Sequence, residues 1–199
     1  MPKTGMQEAR REALIDATIK EVGVRGSLDV TVSQIANRAG VSSGLAHHYF
    51  GSKDEIFMAA MRHILSVYGR LVLEELENAE TPLARVEAVI RASLHEKHFE
   101  PEMVASWLAF YVRAQSMADA QRLLRVYAIR LHSNLMHDLK KLTEPARAEA
   151  IAQGMAAMID GFYIRHALKE PVPERAHIIS MVIDFLHGQL EPKDQKAPK

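Results

Sequence analysis

Two groups of side chains in this 199-residue sequence have the types and spacing for recognition chemistry. The first is Ser42, Ser43, Gly44, His47, His48 and Tyr49, within the stretch Thr31–Phe50. Hydroxyls and imidazoles supply the donors and acceptors that base edges and phosphates pair with, and a glycine removes bulk where a backbone must come close. The second is Trp107, Phe110 and Tyr111, at i, i+3 and i+4 and therefore on one face if the segment is helical. Asp160 and Tyr163 follow on a later segment, and Tyr127 and Phe99 are further rings that could approach. Aromatic faces attract a quaternary ammonium through the ring quadrupole, and a nearby carboxylate adds to the attraction. The plainer alternative is that these rings only fill a core.

Other chemistry is missing. There is no cysteine, which excludes disulfides and thiolate catalysis. The pairs His47/His48 and His95/His98 lack the i, i+4 spacing and the third ligand of a helical zinc site. No phosphate loop, dinucleotide fingerprint or Ser/His/Asp set in a recognisable context occurs. The expectation is no enzyme, no cofactor and no metal.

The elements that must position the first group are legible from their ends. Thr31 with Gln34 forms a capping box that starts a helix at Val32. Gly40 supplies the left-handed residue that stops it. Ser42 caps a second helix, Ser43 to Tyr49, with Ala46 and Phe50 inward and the small and polar residues outward. This is the pattern of a helix-turn-helix, whose second helix can lie in the DNA major groove. A helical hairpin whose polar face merely meets water is the alternative. The candidate DNA-contacting set is Thr31, Ser42, Ser43, Gly44, His47, His48, Tyr49 and Lys53. Lys53 belongs to it because Ser52 and Glu55 open the next helix there, and a helix N-terminus can hold a phosphate.

The rest of the chain reads as helices. Residues 1–6 are expected as a flexible arm and Gln7 to Val24 as an amphipathic helix. Lys3, Arg10 and Arg11 can meet phosphates or simply face water. The helix from Lys53 to about Glu77 starts beside the DNA-contacting residues and ends in a different core, so it would transmit a distant event to them. Further helices are expected after Thr81-Pro82, from Met103 to Gln115, from Ala118 to Lys141, from Thr143-Pro145 to about Leu168, and from the Pro171/Pro173 pair to His187. The fold class is all-α with about nine helices. Residues 1–52 form a helix-turn-helix domain, 53–190 a ligand-binding and dimerisation domain, and 191–199 a polar tail expected to be disordered.

The last two helices carry apolar stripes, with Ile178, Met181, Val182 and Phe185 on one and Met155 and Met158 on the other. These six are the candidate homodimer interface, since a two-fold DNA reader needs a mate; the alternative is that both stripes face the chain's own core. Net charge is zero, with a surplus of two positive charges in residues 1–53 and a deficit of two in the remainder. DNA affinity must therefore come from a few placed contacts and from dimerisation. No stretch approaches ~20 apolar residues, and no apolar run of signal-peptide type follows Arg10-Arg11. A cytoplasmic protein is expected.

The run from Thr31 to Phe57, with Ala-Gly-Val-Ser-x-Gly at Ala39–Gly44 and Tyr-Phe-x-x-Lys at Tyr49–Lys53, resembles the TetR family of transcriptional repressors. The opening Met-Pro-Lys-x-Gly-Met, the His-Tyr-Phe at His48–Phe50, Trp107-Leu-Ala-Phe110 and Ile159-Asp-Gly161 are similar to its choline-responsive branch. The resemblance implies a homodimer on a palindromic double-stranded DNA operator, released by choline, that controls genes of glycine betaine synthesis. The candidate choline residues are Trp107, Phe110, Tyr111, Asp160 and Tyr163. One departure is Ala46-His47, where many members have a large apolar residue and a tyrosine, so the base preference should differ. Two alternatives stand beside this: a repressor of the same family for another cationic or apolar ligand, and a helical carrier or enzyme with a non-functional DNA head.

Overall fold

A computed structural model of the protein describes residues 3–171 and 173–191. Among the described residues there are nine α-helices and no strand: α1 (Lys3–Arg25), α2 (Val32–Arg38), α3 (Ser43–Phe50), α4 (Lys53–Glu77), α5 (Pro82–Ser93), α6 (Pro101–Ala114), α7 (Ala118–Leu139), α8 (Pro145–Ala167) and α9 (Arg175–Leu190). A 3₁₀ turn, Glu96–His98, lies between α5 and α6.

The ends of these helices have local causes. Thr31 and Ser52 each form a complete capping box, with Gln34 and Glu55. Ser42 and Thr81 cap α3 and α5 through their side-chain oxygens. Proline occupies the first turn of α5, α6 and α8, where its missing N–H removes no helical bond. Gly40 and Gly51, which close α2 and α3, have φ of 69° and 72°, a conformation that a side chain would strain.

Two boundaries differ most from the sequence reading. The expected arm is helical from Lys3 onward, since nothing between Lys3 and Gln7 forbids a helix and Gly5 only weakens one; residues 1–2 lie outside the described residues. Helix α9 runs three residues past His187 to Leu190, because Leu190 still packs against the core. The tail from 192 lies outside the described residues.

The core is continuous from the N-terminal helices into the rest of the molecule. Helix α4 is its axis, burying Ile56, Phe57 and Met61 near the N-terminal end and Tyr68, Leu71 and Val72 further along. An 18-residue window of α4 is apolar enough to cross a membrane by composition, with a mean hydropathy of 1.4. Most of its apolar side chains are buried against the other helices, which accounts for that composition. Helix α1 crosses α6 so closely that a Cβ at Gly23 would overlap the backbone of Glu102. At the same crossing Ser106 Oγ donates to the Ile19 carbonyl at 3.1 Å. On the far side, Arg85 Nε and Lys141 Nζ donate to the buried carboxylate of Asp138 at 3.0 and 2.7 Å, tying α5 to the end of α7. Burial works against that charge, but the two donors outweigh it and lower the Asp138 pKa.

Half of the expected dimer stripe lies inside the single chain. Met155, Ile178 and Val182 are fully buried inside the single chain. A stripe at helical spacing has to be covered, and here α8 and α9 cover each other and are backed by α5 and α7. Met158 and Phe185 stay half-buried, with the Phe185 ring packed over Gly154, and Met181 remains 38% exposed.

Candidate functional site

Helix α3 stands on two buried residues, Ala46 and Phe50, and turns the rest of its surface outward. Ala46 and Ala36 are both fully buried, which lets α2 and α3 approach closely. Arg11 from α1 lies over the Phe50 ring at 5.2 Å, so its guanidinium is held at the base of α3. Gly44, His47 and His48 are exposed, and nothing lies within 4 Å of where a Gly44 side chain would begin. Ser43 Oγ donates to Ser33 Oγ at 3.1 Å, fixing the start of α3 against α2.

His47 Nδ1 is 3.0 Å from the Gly51 carbonyl. A carbonyl only accepts, so this bond puts the proton on Nδ1 and leaves Nε2 of the neutral ring as an acceptor. In a major groove that acceptor suits the exocyclic amines of adenine or cytosine. Tyr49 is half-buried beside His48, with ring centroids 5.8 Å apart. Lys53 is exposed but donates to the Leu28 carbonyl at 3.2 Å, so it also secures the α1–α2 loop. Thr31 is occupied with its capping box, accepting from Gln34 N at 3.2 Å. A phosphate contact from Thr31 would have to share that oxygen.

The aromatic residues assemble elsewhere, among α4, α5, α6, α7 and α8. Trp107 packs 5.9 Å from Tyr111 and 5.1 Å from Tyr127, centroid to centroid, and Tyr127 meets Tyr68 edge-on at 5.5 Å. With Tyr163, Ser93 and His98 these rings line one small cavity. The cavity measures about 10 Å³, room for roughly one water molecule. The Tyr111 hydroxyl donates to Asp160 Oδ1 at 3.1 Å, which brings a carboxylate to the edge of the ring cluster. Burial raises the Asp160 pKa against the opposing effect of that hydrogen bond. Burial and the neighbouring Asp160 also raise the pKa of the Tyr111 hydroxyl. A partly desolvated carboxylate among ring faces is a setting that a cation relieves.

Of the five expected ligand residues, Trp107, Tyr111 and Tyr163 line this cavity and Asp160 adjoins it. Phe110 does not. It is fully buried on the other side of Trp107, 6.3 Å from Phe57 of α4, and serves the core. At i, i+3, i+4 three rings share a broad face, but a cavity takes only part of it. Tyr68, Ser93 and His98 were not expected. They come from α4, from the end of α5 and from the 3₁₀ turn, and no local pattern distinguishes a lining tyrosine in an apolar helix from a core one. Among the described residues, no cluster of three or more His, Asp or Glu is placed to hold a metal ion.

Residues 14–60 match the family model described as bacterial regulatory proteins, tetR family, and residues 82–191 match that of the BetI-type transcriptional repressor, C-terminal. The chain belongs to the TetR family.

It is a BetI-type TetR repressor, and its relatives are transcriptional regulators rather than enzymes. It is 53% identical over 190 residues to the HTH-type transcriptional regulator BetI of Brucella suis, covering 96% of each chain. It is 45% identical over 199 residues to that of Agrobacterium fabrum, covering 99% of this chain and 97% of the relative. The TetR-type fold recurs in a transcriptional regulator from Pseudomonas aeruginosa PAO1, with a TM-score of 0.79 at 24% identity, over 92% of this chain and 91% of that one. It recurs in a regulator from Saccharomonospora viridis solved in complex with choline, with a TM-score of 0.77 at 18% identity, over 89% and 95% of the two chains. The N-terminal family match spans α2 and α3, and the BetI-type match includes Trp107, Tyr111, Asp160 and Tyr163.

Proposed function

We propose that this TetR-family repressor is a homodimer that reads a palindromic operator with α3 and leaves it when choline enters the aromatic cage, controlling genes of glycine betaine synthesis in the cytoplasm. The observation that carries the ligand half is the cage itself: rings of Trp107, Tyr111, Tyr127 and Tyr163 around one cavity, with the Asp160 carboxylate at its edge. The close BetI relatives and the choline complex of a fold neighbour agree with that chemistry. For the DNA half, Ser43, Gly44, His47 and His48 are the contact residues and Lys53 a phosphate contact. For the dimer, Met158, Met181 and Phe185 remain partly uncovered, and Ile164 and Leu168 are 42% and 58% exposed. These uncovered apolar residues at α8 and α9 are what a second copy would cover.

Helix α6 couples the two sites. It carries Trp107 and Tyr111, and on its other faces it touches α1 through Ser106 and Glu102 and the start of α4 through Arg113. The cavity is too small for choline as it stands, so ligand has to select a wider arrangement. Widening moves α6 or α7 outward, and α6 cannot move without α1 and α4. A ligand shifts the equilibrium only by its preference for one state. The wide state is the one in which the two α3 helices no longer sit one helical turn, ~34 Å, apart.

Fluorescence anisotropy with DNA from upstream of the gene, titrated with choline, tests the reading. Release of bound DNA by choline, from a protein that sediments as a dimer, supports it. No DNA binding at low salt rejects the role of α3, and DNA binding indifferent to choline rejects the cage. In that last case calorimetry with glycine betaine and with a hydrophobic cation identifies the alternative effector class.

A further inference from the structure

The cage contains one group that cation binding does not use. His98 is 2% exposed, lines the cavity, and neither ring nitrogen has a hydrogen-bond partner among the described residues. An unpaired buried polar group is costly, so one persists where something else is to fill it. The hydroxyls around it are already committed: Tyr163 donates to the Ser93 carbonyl, Tyr68 pairs with Ser93 Oγ at 3.3 Å, and Tyr111 donates to Asp160.

We propose that His98 is a specificity-determining residue of the cage, pairing with an uncharged hydroxyl on the ligand, so that the pocket selects a hydroxyalkyl quaternary ammonium over its alkyl and carboxylate counterparts. This rests on the reading of the cage as a cation site and adds what the other end of the ligand must be. A neutral imidazole has one donor and one acceptor nitrogen, and a hydroxyl can both accept and donate. A carboxylate only accepts, and no lysine or arginine lines the cavity to balance it. Burial, with the charges of His95 and Lys97, brings the His98 pKa down to about 4, so the ring meets the ligand neutral. An alkyl group in place of the hydroxyl leaves the imidazole as unpaired as it is without ligand.

Calorimetry on the full chain at pH 7.5 tests this with three probes: choline, n-propyltrimethylammonium, in which a methyl replaces the hydroxyl, and glycine betaine. In the wild type, choline is expected to bind about 10- to 100-fold more tightly than the propyl compound, the range a buried polar pair supplies, and more tightly than glycine betaine. His98→Leu is expected to bring the choline-to-propyl ratio to within about threefold, mainly by weakening choline, while His98→Gln keeps a preference for choline. Equal binding of choline and the propyl compound by the wild type overturns the inference and leaves the cation cage standing. That comparison needs no variant to fold. An unchanged ratio in folded His98→Leu also overturns it. If no ammonium binds the wild type, the cage falls and the inference with it.

Discussion

Arg113 Nη2, in the last turn of α6, lies 2.8 Å from both carboxylate oxygens of Asp54, the second residue of α4. The pair joins the helix that carries half of the proposed cage to the helix that begins beside the residues proposed to contact DNA. Asp54 is 47% exposed on its side chain, so the pair is worth at most about 1 kcal/mol of stability. Its importance is geometric. Asp54→Asn and Arg113→Lys are expected to leave operator affinity without ligand within about threefold. Each should raise the choline concentration needed for half release several-fold. A release curve identical to the wild type would place the coupling elsewhere, at the Gly23–Glu102 crossing.

Two glycines make opposite predictions. Gly44 has open space where a side chain would begin, and Gly23 has the Glu102 backbone there. Gly44→Trp is expected to abolish operator binding while leaving the urea midpoint almost unchanged. Gly23→Val should lower stability by about 1–3 kcal/mol, the usual cost of forcing bulk into a packed contact. Urea denaturation of both variants, alongside anisotropy for Gly44→Trp, checks the contrast. A stable Gly23→Val protein would mean that the crossing is looser than described.

His47 presents Nε2 to solvent because Nδ1 is held by the Gly51 carbonyl. His47→Ala is expected to weaken operator binding at least tenfold, with dimerisation and choline affinity intact. Unchanged binding in a gel-shift titration would remove His47 from the DNA contacts.

Asp160→Asn keeps the shape and an oxygen for the Tyr111 hydroxyl but removes the charge. Choline affinity should fall about tenfold or more, and thermal stability should hold or rise slightly, since a partly buried charge is lost. Calorimetry and a melting curve read the two effects separately. Choline binding equal to the wild type would detach the carboxylate from the cage.

The buried imidazole gives a pH dependence with a definite sign. Burial first, then His95 and Lys97, bring His98 to about 4 in the folded protein, with the Tyr68 ring facing it edge-on at 6.0 Å. The unfolded side chain titrates near 6.5. Between those values the unfolded chain binds more protons, so stability falls as pH drops from about 6.5 to about 4, by roughly 3 kcal/mol in all. Above about 6.5 the group adds no pH dependence. The urea midpoint of the wild type should fall relative to that of His98→Leu as the pH drops from 7 to 4.5. Parallel curves would show that His98 is not desolvated.

The sequence by itself determined where the helices begin and end and that α3 follows a tight turn. Caps, glycine turns and first-turn prolines act within about four residues, so Thr31/Gln34, Gly40, Ser42 and Ser52/Glu55 are readable in place. It also determined the family, because the motif residues of α2, α3 and α6 are contiguous. What only the tertiary structure decided is which neighbour each apolar face meets. A stripe such as Ile178–Val182 states that a face is covered, and the same pattern serves a chain's own core or a second copy. The cage is of that kind as well. Tyr68, His98, Tyr127 and Tyr163 are far apart in sequence, and the packing of five helices is what separates them from Phe110, a ring of similar size three residues from Trp107 that ended in the core.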